Sequence, residues 1–307
     1  MTTATLQPEA QLSFRCFGGS AAVLVMGNGA EARAEETRQR LGRWHDRFTR
    51  FDPASELSQV NAATSAHVRV TPIFARFVLD ALAAAKETGG LVDPTLVGEL
   101  ERAGYASELG PPITLEESLR LAPPRAPARP SPRAVWRRIS IDMHRRILTR
   151  PAGIRLDSGG IVKGLLADLA GSTLASSASY AVDCCGDLRL GGADRLARVV
   201  RVDDPFGRGL LHDFELVSGG VATSGIGRRS WLDGRGRPAH HLLDPATGSP
   251  AFTGVVQATA LAPTAARGEM FAKAALLSGP DTGRRWLRHG GVLVFDDGSH
   301  EVIGPVG

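Results

Sequence analysis

In residues 156–165 the chain reads Leu-Asp-Ser-Gly-Gly-Ile-Val-Lys-Gly-Leu. The apolar alternation of residues 153–157 predicts a strand that ends at Asp157, and a helix is expected to begin at or near Lys163. Glycines between them let backbone N–H groups approach an anion closely, and a helix N-terminus adds its positive end. The pattern suits a diphosphate or a ribose, but taken alone it favours an ordinary tight turn. It is neither a Walker A loop nor a Rossmann fingerprint.

Strands and helices are intermixed on both sides of this turn. Residues 12–27 predict two strands broken at Gly18-Gly19, and Thr71-Pro72 is typical of a helix start. Further helices are expected at 29–49, 163–176, 266–278 and 281–288, and further strands at 136–142, 146–150 and, last in the chain, 291–295. Because strands and helices do not alternate regularly, the sequence predicts an α+β fold.

A proline-rich stretch interrupts this pattern. Seven of the 19 prolines fall within residues 111–132, with a short capped helix predicted from Thr114 between the two clusters. Regular structure is excluded for residues 122–133, which we expect to form a mobile surface loop because strands resume directly after them. A domain linker is the alternative. The prediction is one domain over residues 1–307, with a loop excursion at 108–135.

Composition narrows the class of protein. The 307 residues are 43% hydrophobic and 22% charged, the balance of an ordinary globular protein. No apolar run approaches the roughly 20 residues that span a bilayer, and no export signal is visible, so we expect a cytoplasmic protein without membrane or nucleic-acid partners. The three cysteines form no metal-binding pattern. Only Lys86, Lys163 and Lys273 are lysines, so the other basic residues are arginines.

Two further motifs carry polar groups suited to chemistry. His240 and His241 precede Asp244-Pro-Ala-Thr-Gly248, and Asp93-Pro-Thr95 follows Gly89-Gly90. Each is explained singly by a capped turn. A Ser224–His241 hydrolase is conceivable, but the chain has no GxSxG elbow.

Taken together and in order, these segments resemble the FAD:protein FMN transferases, the ApbE family of flavin transferases. Eight stretches correspond to motifs of that family: 14–19 (FRCFGG), 49–61 (TRFDPASELSQVN), 92–95 (VDPT), 157–164 (DSGGIVKG), 183–187 (DCCGD), 223–225 (TSG), 240–250 (HHLLDPATGSP) and 268–279 (GEMFAKAALLSG). They extend over nearly the whole chain.

The resemblance implies a single α+β domain of the T-fold kind with an FAD-binding cleft. The implied activity cleaves FAD at its diphosphate, attaches FMN to a Ser or Thr hydroxyl of an acceptor flavoprotein and releases AMP. By position, Phe51 would stack on the isoalloxazine and Phe17 would replace a methionine that touches the flavin. The other implied contacts are Leu91, Val92 and Asp93 near the adenosine, Gly159, Lys163 and Leu165 around the diphosphate and ribose, and His241 and Leu243 closing the cleft.

The metal site of the family is altered in this chain. Relatives hold Mg²⁺ through an aspartate, a threonine and backbone carbonyls; here Glu269 and Lys273 stand at the side-chain positions, with the carbonyls of Val162 and Ala272 still available. A charged lysine has no lone pair and cannot bind Mg²⁺. Glu269 and Lys273 are four apart on a predicted helix, so they can form a surface ion pair. Alternatively, the Lys273 ammonium replaces the metal and faces the diphosphate.

Catalytic roles are therefore expected for His241, Lys163 and Lys273. His241 could relay a proton or only position the ligand, and the positional role is favoured. Three functions stay open: an FMN transferase, a non-catalytic FAD-binding or flavin-delivery protein, and an FAD diphosphatase that yields FMN and AMP. Transfer and hydrolysis share one bond-breaking step, so sequence alone does not separate them.

Overall fold

A computed structural model describes residues 8–107 and 112–305. Its helices are α1 (Ala30–Phe48), α2 (Glu56–Ala62), α3 (Pro72–Glu87), α4 (Val97–Arg102), α5 (Leu115–Arg120), α6 (Val162–Thr173), α7 (Ala265–Ser278) and α8 (Pro280–Gly283). Turns of 3₁₀ helix span Val135–Arg138 and Arg284–Trp286. No helix among the described residues is both long and apolar enough to span a bilayer.

The strands form one large sheet and several small ones. They are β1 (Glu9–Cys16), β2 (Gly19–Met26), β3 (His67–Arg69), β4 (Ser140–Asp142), β5 (Ile147–Thr149), β6 (Ser179–Cys184), β7 (Asp187–Gly191), β8 (Arg198–Asp203), β9 (Leu210–Leu216), β10 (Gly219–Gly225), β11 (Ser230–Leu232), β12 (Pro238–His240), β13 (Leu243–Asp244), β14 (Ser249–Pro250), β15 (Val255–Ala262), β16 (Gly291–Phe295) and β17 (His300–Ile303). The large sheet has eight strands in the order β1-β2-β6-β7-β10-β15-β16-β17, and each neighbouring pair is antiparallel.

The two faces of the large sheet are covered by different elements. Helices α1, α6 and α7 pack on one face, where alternate residues such as Tyr180 and Val182 of β6 join the main core. Between them, Ala181 points to the other face and packs with Val200 of the β8–β9 hairpin in a second, smaller core. This period-2 alternation is expected of a strand buried on both sides. The α+β prediction is confirmed, with helices and an antiparallel sheet in one fold.

Local capping explains where several helices begin. The Thr71 hydroxyl accepts a hydrogen bond from Phe74 N at 3.4 Å and Pro72 is the first residue of α3, as the sequence predicts. Ser55 and Thr264 cap α2 and α7 in the same way. Phe74 and Phe77 of α3 then pack against Phe48 at the end of α1, with ring centroids 5.3–5.7 Å apart. These contacts fix the position of the C-terminal end of α1, which leads into the candidate functional site.

Some predicted elements are wrong. Residues 153–157 form no strand; instead, Asn61 and Leu156 exchange hydrogen bonds of 2.8 and 2.9 Å, so side-chain contacts replace a ladder. Residues 136–138 of the predicted strand 136–142 lie in a 3₁₀ turn. The strand predicted as the last one, β16, is followed by a further strand, β17, which pairs with it at the edge of the sheet. The helix predicted at 281–288 is reduced to α8 and a 3₁₀ turn.

The proline-rich stretch runs along other segments of the protein. Ala126 N donates to Phe252 O at 2.9 Å, and Ala128 N donates to Leu277 O at 2.8 Å. Arg129 N donates to the Asp244 carboxylate at 2.8 Å. We expected a mobile loop here, yet these bonds tie it to the core. Residues 108–111, at the start of the predicted excursion, lie outside the described residues.

Two tight turns lie side by side at one end of the large sheet. Phe17-Gly18 connects β1 to β2, and Cys185-Gly186 connects β6 to β7; all four residues have positive φ, between 54° and 92°. Such turns suit glycine and are unfavourable for a phenylalanine or a cysteine. Cys185 Sγ donates a hydrogen bond to the carbonyl of Cys16 at 3.1 Å, which links the turns. All three cysteines are free thiols.

Candidate active site

A cleft of about 660 Å³ opens where the β1–β2 turn, the segment after α1 and the start of α6 meet. Loops around residues 91–96, 228–230 and 241–243 complete its walls, and α7 contributes Lys273 and Leu277. Pockets that bind cofactors and other small ligands have volumes of roughly 300–1,000 Å³. The cleft is therefore large enough for a ligand of cofactor size.

The glycine turn forms one wall of the cleft. Gly159, Gly160, Val162 and Lys163 line it, and α6 begins at Val162. The turn is anchored from behind, because the Ser158 hydroxyl donates to the carbonyl of Phe48 at 3.0 Å. Because Val162 and Lys163 line the cleft, the positive end of the α6 dipole lies next to it, while Val162 N and Gly164 N already donate to Ser158 O and to Glu269.

Four charged side chains meet behind that wall. Lys163 donates a hydrogen bond to Asp187, and its Nζ lies 3.6 Å from Glu269 Oε1. Lys273 Nζ lies 2.9 Å from the same Glu269 oxygen. The other oxygen of Glu269 accepts a hydrogen bond from Gly164 N, in the first turn of α6, at 2.9 Å. The surface interpretation of the Glu269–Lys273 pair is wrong, because these side chains are only 0% and 9% exposed.

The pKa values follow from this burial and pairing. Burial opposes the charge of Lys163, but the carboxylates of Asp187 and Glu269 more than offset it and raise the pKa of Lys163. Burial likewise opposes ionisation of Glu269, yet Lys273 and Lys163 hold the pKa of its carboxyl below the usual value. Burial and the Glu269 charge raise the pKa of Asp187 to about 7. At neutral pH Lys163 is therefore a cation beside an ionised Glu269.

These residues do not form a set of donors that fits Mg²⁺. Mg²⁺ needs octahedral oxygen ligands at about 2.0–2.1 Å. Glu269 has one oxygen facing two ammonium groups and the other bound to a backbone N–H, and Lys273 offers no lone pair. The two remaining oxygen ligands expected from the sequence are the backbone carbonyls of Val162 and Ala272, which lie in helices α6 and α7. No cluster of three or more His, Cys, Asp or Glu residues suited to a metal occurs in residues 8–107 and 112–305.

The aromatic residues expected near a flavin both line the cleft. Phe17 is buried in the β1–β2 turn, with its ring 5.0 Å from that of His45. Phe51 follows α1 and is 38% exposed, which is unusual for a large apolar side chain. The Arg50 guanidinium lies 4.8 Å from the Phe51 ring and 4.0 Å from the Tyr105 ring. This end of the cleft therefore presents flat aromatic and guanidinium surfaces.

Leu91, Val92 and Asp93 also line the cleft, in the loop after α3. Asp93 Oδ1 accepts hydrogen bonds from Thr95 N at 2.8 Å and from the Thr95 hydroxyl at 2.5 Å. Burial raises the pKa of Asp93. The Asp-Pro-Thr motif thus builds a closed turn, and one oxygen of Asp93 has no role in it.

The two histidines have different positions. His240 is fully buried at the end of β12, where its ring packs on Phe252. His241 lines the cleft with Leu243, and its buried Nδ1 has no hydrogen-bond partner among the described residues. Burial, and then the nearby charges of Arg229 and Lys273, lower the pKa of His241 well below its usual value. It is a neutral imidazole with an unused polar atom.

Not every residue named from the sequence reaches the cleft. Leu165 does not line it, because its side chain is 1% exposed and belongs to the main core. Glu269 and Ala272 lie behind the lining and not in it. The remaining residues expected at the site are brought together around one cavity: Phe17, Phe51, Leu91, Val92, Asp93, Gly159, Val162, Lys163, His241, Leu243 and Lys273.

Sequence reasoning missed most of the positive charge of the site. Six basic side chains line the cleft, against two acidic ones, Asp93 and Asp157; the basic ones are Arg15, Arg50, Lys163, Arg228, Arg229 and Lys273. Arg229 also donates to the carbonyl of Phe17 at 2.7 Å, which fixes the β1–β2 turn. Because arginine is common in this chain, an arginine by itself is no signal. Arg15, Arg50 and Arg228 could have been identified only from the motifs in which, or next to which, they lie. The cleft is suited to an anionic ligand.

Comparisons with known proteins identify the family and the fold of the chain. The model of the ApbE family matches residues 14–295. A protein of Treponema pallidum (strain Nichols) named FAD:protein FMN transferase is 31% identical over 261 residues, which cover 76% of this chain and 68% of that protein. The crystal structure of the ApbE protein from Thermotoga maritima superposes with a TM-score of 0.80 at 25% identity, over 96% of this chain and 97% of that one. The apo flavinyl transferase ApbE from Pseudomonas stutzeri shares the fold, with a TM-score of 0.77 at 20% identity, over 98% of this chain and 96% of that one.

Proposed function

Because the chain belongs to the ApbE family, we propose that it is an FAD:protein FMN transferase. It binds FAD in the cleft, cleaves the diphosphate, attaches FMN to a serine or threonine hydroxyl of an acceptor flavoprotein and releases AMP. The observation that carries this proposal is that one cavity brings together the Phe17 and Phe51 rings, the glycine turn and six cationic side chains. These are the groups that a flavin and a diphosphate need.

The chemistry is a phosphoryl-type transfer. The acceptor hydroxyl oxygen forms a bond to the flavin-side phosphorus and releases its proton to solvent, while the bond between that phosphorus and the bridging oxygen breaks. AMP leaves with the electron pair of that bond, so negative charge accumulates on the departing phosphate. Fixed cations at this position, Lys163 and Lys273, stabilise that charge without reorganising.

His241 positions the ligand in this scheme. Its lowered pKa keeps the imidazole neutral at neutral pH, so it is a poor proton donor there. The unpartnered Nδ1 gives it one free hydrogen-bonding atom at the cleft, suited to a polar group of FAD. The contacts of Phe51 with the isoalloxazine and of Leu91, Val92 and Asp93 with the adenosine belong to the same proposal.

One incubation tests the proposal against its alternatives. The purified protein is mixed with FAD and with acceptor proteins from an extract of its source cells, and intact-protein mass spectrometry is combined with AMP quantification. We expect an acceptor to gain one FMN for each AMP released. Free FMN and AMP without an adduct would instead indicate a diphosphatase, and tight FAD binding without turnover would indicate a flavin-delivery protein. The cytoplasmic location stays a prediction, which cell fractionation would check.

A further inference from the structure

Both oxygens of the Glu269 carboxylate are already engaged by groups of the protein. Its Oε1 lies 2.9 Å from Lys273 Nζ and 3.6 Å from Lys163 Nζ, and its Oε2 accepts the hydrogen bond from Gly164 N. The side chain is completely buried. A divalent cation would have to displace an ammonium group that is already paired. The carboxylate therefore anchors two lysines and caps α6.

Lys273 still has hydrogen-bonding capacity towards the cleft. An ammonium group carries three N–H donors. Only one acceptor, Glu269 Oε1, lies within hydrogen-bond distance of Lys273 Nζ among the described residues. The side chain is nine-tenths buried and yet lines the cleft. Two donors of a fixed, desolvated cation are thus available to a ligand bound there.

We propose that the Lys273 ammonium group, held by Glu269, binds a diphosphate oxygen of FAD and replaces a divalent cation in FMN transfer. The proposal rests on the proposed function and deepens it, because it names the group that offsets the charge of the departing AMP. Lys163 is paired with Asp187 and with Glu269, so its charge is shared between two carboxylates. Lys273 has a single carboxylate partner and is the freer of the two cations.

Metal dependence is the first test. FMN transfer and AMP release are measured for the wild-type protein in excess EDTA and in added MgCl₂. Turnover that persists in EDTA at a rate within about twofold of the Mg²⁺ rate is expected, since the fixed ammonium supplies the charge. If EDTA abolishes turnover and MgCl₂ restores it, the proposal is wrong.

Removal of the charge is the second test. Lys273→Met should lower kcat by about 10²- to 10³-fold, the usual loss for one group that stabilises transition-state charge. Lys86→Met, at an exposed lysine of α3, is the matched control and should keep wild-type rates. Because Lys273→Met leaves Glu269 buried beside Lys163 alone, Glu269→Gln/Lys273→Met is also made; its amide oxygen can still accept from Gly164 N. Wild-type kcat in both variants would overturn the proposal.

A binding measurement separates this proposal from the proposed function. Titrations of FAD and of riboflavin, which has no phosphate, are done in EDTA by flavin fluorescence. Both Lys273 variants should bind FAD about 10- to 100-fold more weakly, the value of one charge-assisted hydrogen bond, and should bind riboflavin as the wild type does. If FAD is bound without turnover under every condition, the transferase function fails while this binding difference still tests Lys273. Equal FAD affinity in wild type and variants would remove Lys273 from the diphosphate site.

Discussion

Phe51 is exposed at the cleft, whereas most large apolar side chains of the described chain are buried. Arg50 and Tyr105 lie against the ring, at 4.8 Å and 5.7 Å from its centroid, and the residue stays 38% exposed. A half-covered ring of this kind offers its free surface to a planar ligand, since aromatic faces stack on one another in offset arrangements.

Phe51→Ala should weaken FAD binding by about 1–3 kcal/mol, the range measured when a base loses its aromatic stacking partner. Isothermal titration calorimetry with FAD measures the change. Phe214→Ala, on β9 and outside the cleft lining, is the control and should bind FAD normally. An unchanged dissociation constant for Phe51→Ala would place the flavin elsewhere.

His241 allows a prediction about pH. Its pKa lies well below 6.5 in the folded protein, so the imidazole stays neutral above that pH and kcat should show no step caused by this residue between about pH 6 and 8. His241→Asn should weaken FAD binding with only a modest loss of kcat. A loss of several orders of magnitude in kcat at saturating FAD would instead mean general acid–base catalysis.

The same group affects stability in acid. A histidine with a lowered folded-state pKa binds its proton in the unfolded state first, so the free energy of unfolding falls as the pH drops below about 6.5. His241→Asn should therefore show a shallower loss of stability below that pH in urea titrations.

At the level of elements, helices α6 and α7 cap each other. Asp168 of α6 accepts hydrogen bonds from Ala265 N at 2.8 Å and Ala266 N at 3.0 Å, at the start of α7. Glu269 of α7 accepts one from Gly164 N, at the start of α6. Carboxylates at helix N-termini satisfy free N–H groups and interact favourably with the helix dipole. The two helices are therefore fixed where the cleft needs Lys163 and Lys273.

This crossing depends on a glycine. A Cβ at Gly164 would lie 2.6 Å from the Ala265 backbone, whereas a Cβ at Gly42 of α1 would meet nothing within 4 Å. Gly164→Ala should destabilise the protein by about 1–3 kcal/mol through overpacking, and Gly42→Ala should stabilise it by about 0.5–1 kcal/mol through helix propensity. Urea unfolding monitored by circular dichroism compares them. Similar midpoints for the two variants would contradict the close crossing of α6 and α7.

The sequence predicted those elements whose causes are local. Thr71-Pro72 specifies the start of α3, and Gly18 lies in the turn between β1 and β2, because capping and turn chemistry act within a few residues. The error at residues 153–157 has a different origin. Their alternation suits a strand. Asn61, which lies 95 positions earlier in the chain, instead forms hydrogen bonds with the backbone N–H and C=O groups of Leu156.

 

The positive charge of the cleft could not be predicted in the same way. Arg15, Arg50 and Arg229 come from three separate segments, and only the folded sheet and loops bring them to one cavity. The sequence does identify Lys163 and Lys273, because lysine is rare in this chain. It does not reveal that Glu269 joins them, since that contact needs α6 and α7 to cross.

At the scale of the whole molecule, the helices that support the cleft and the β8–β9 hairpin lie on opposite faces of the large sheet. Helices α1, α6 and α7, which contribute to the cleft or support it, cover one face, and the hairpin covers the other. The ligand site is thus built on the larger core. Ligand binding should stabilise the folded protein as a unit, because a ligand that binds only the folded state shifts the unfolding equilibrium.

FAD should bind more tightly than FMN or riboflavin, because the cleft has residues placed for an aromatic ring system, for phosphates and, at 91–93, for a further group. In thermal unfolding at equal ligand concentrations, FAD should raise Tm the most; a concentration 100 times the dissociation constant adds about 2.7 kcal/mol of stability. Equal affinities for FMN and FAD would contradict a site that recognises the adenosine half.

At the paired turns of Phe17 and Cys185, the backbone conformation lowers the stability of the folded protein. A residue held in the left-handed region costs about 1–2 kcal/mol, and both turns place a residue other than glycine there. Asparagine tolerates this conformation better, but Phe17 is buried in the main core, so Phe17→Asn would relax the backbone only by giving up the packing of the ring and its surface in the cleft. Substitutions selected for thermostability are therefore restricted at this turn, because a residue that relaxes the backbone there also removes the Phe17 ring from the surface offered to the ligand.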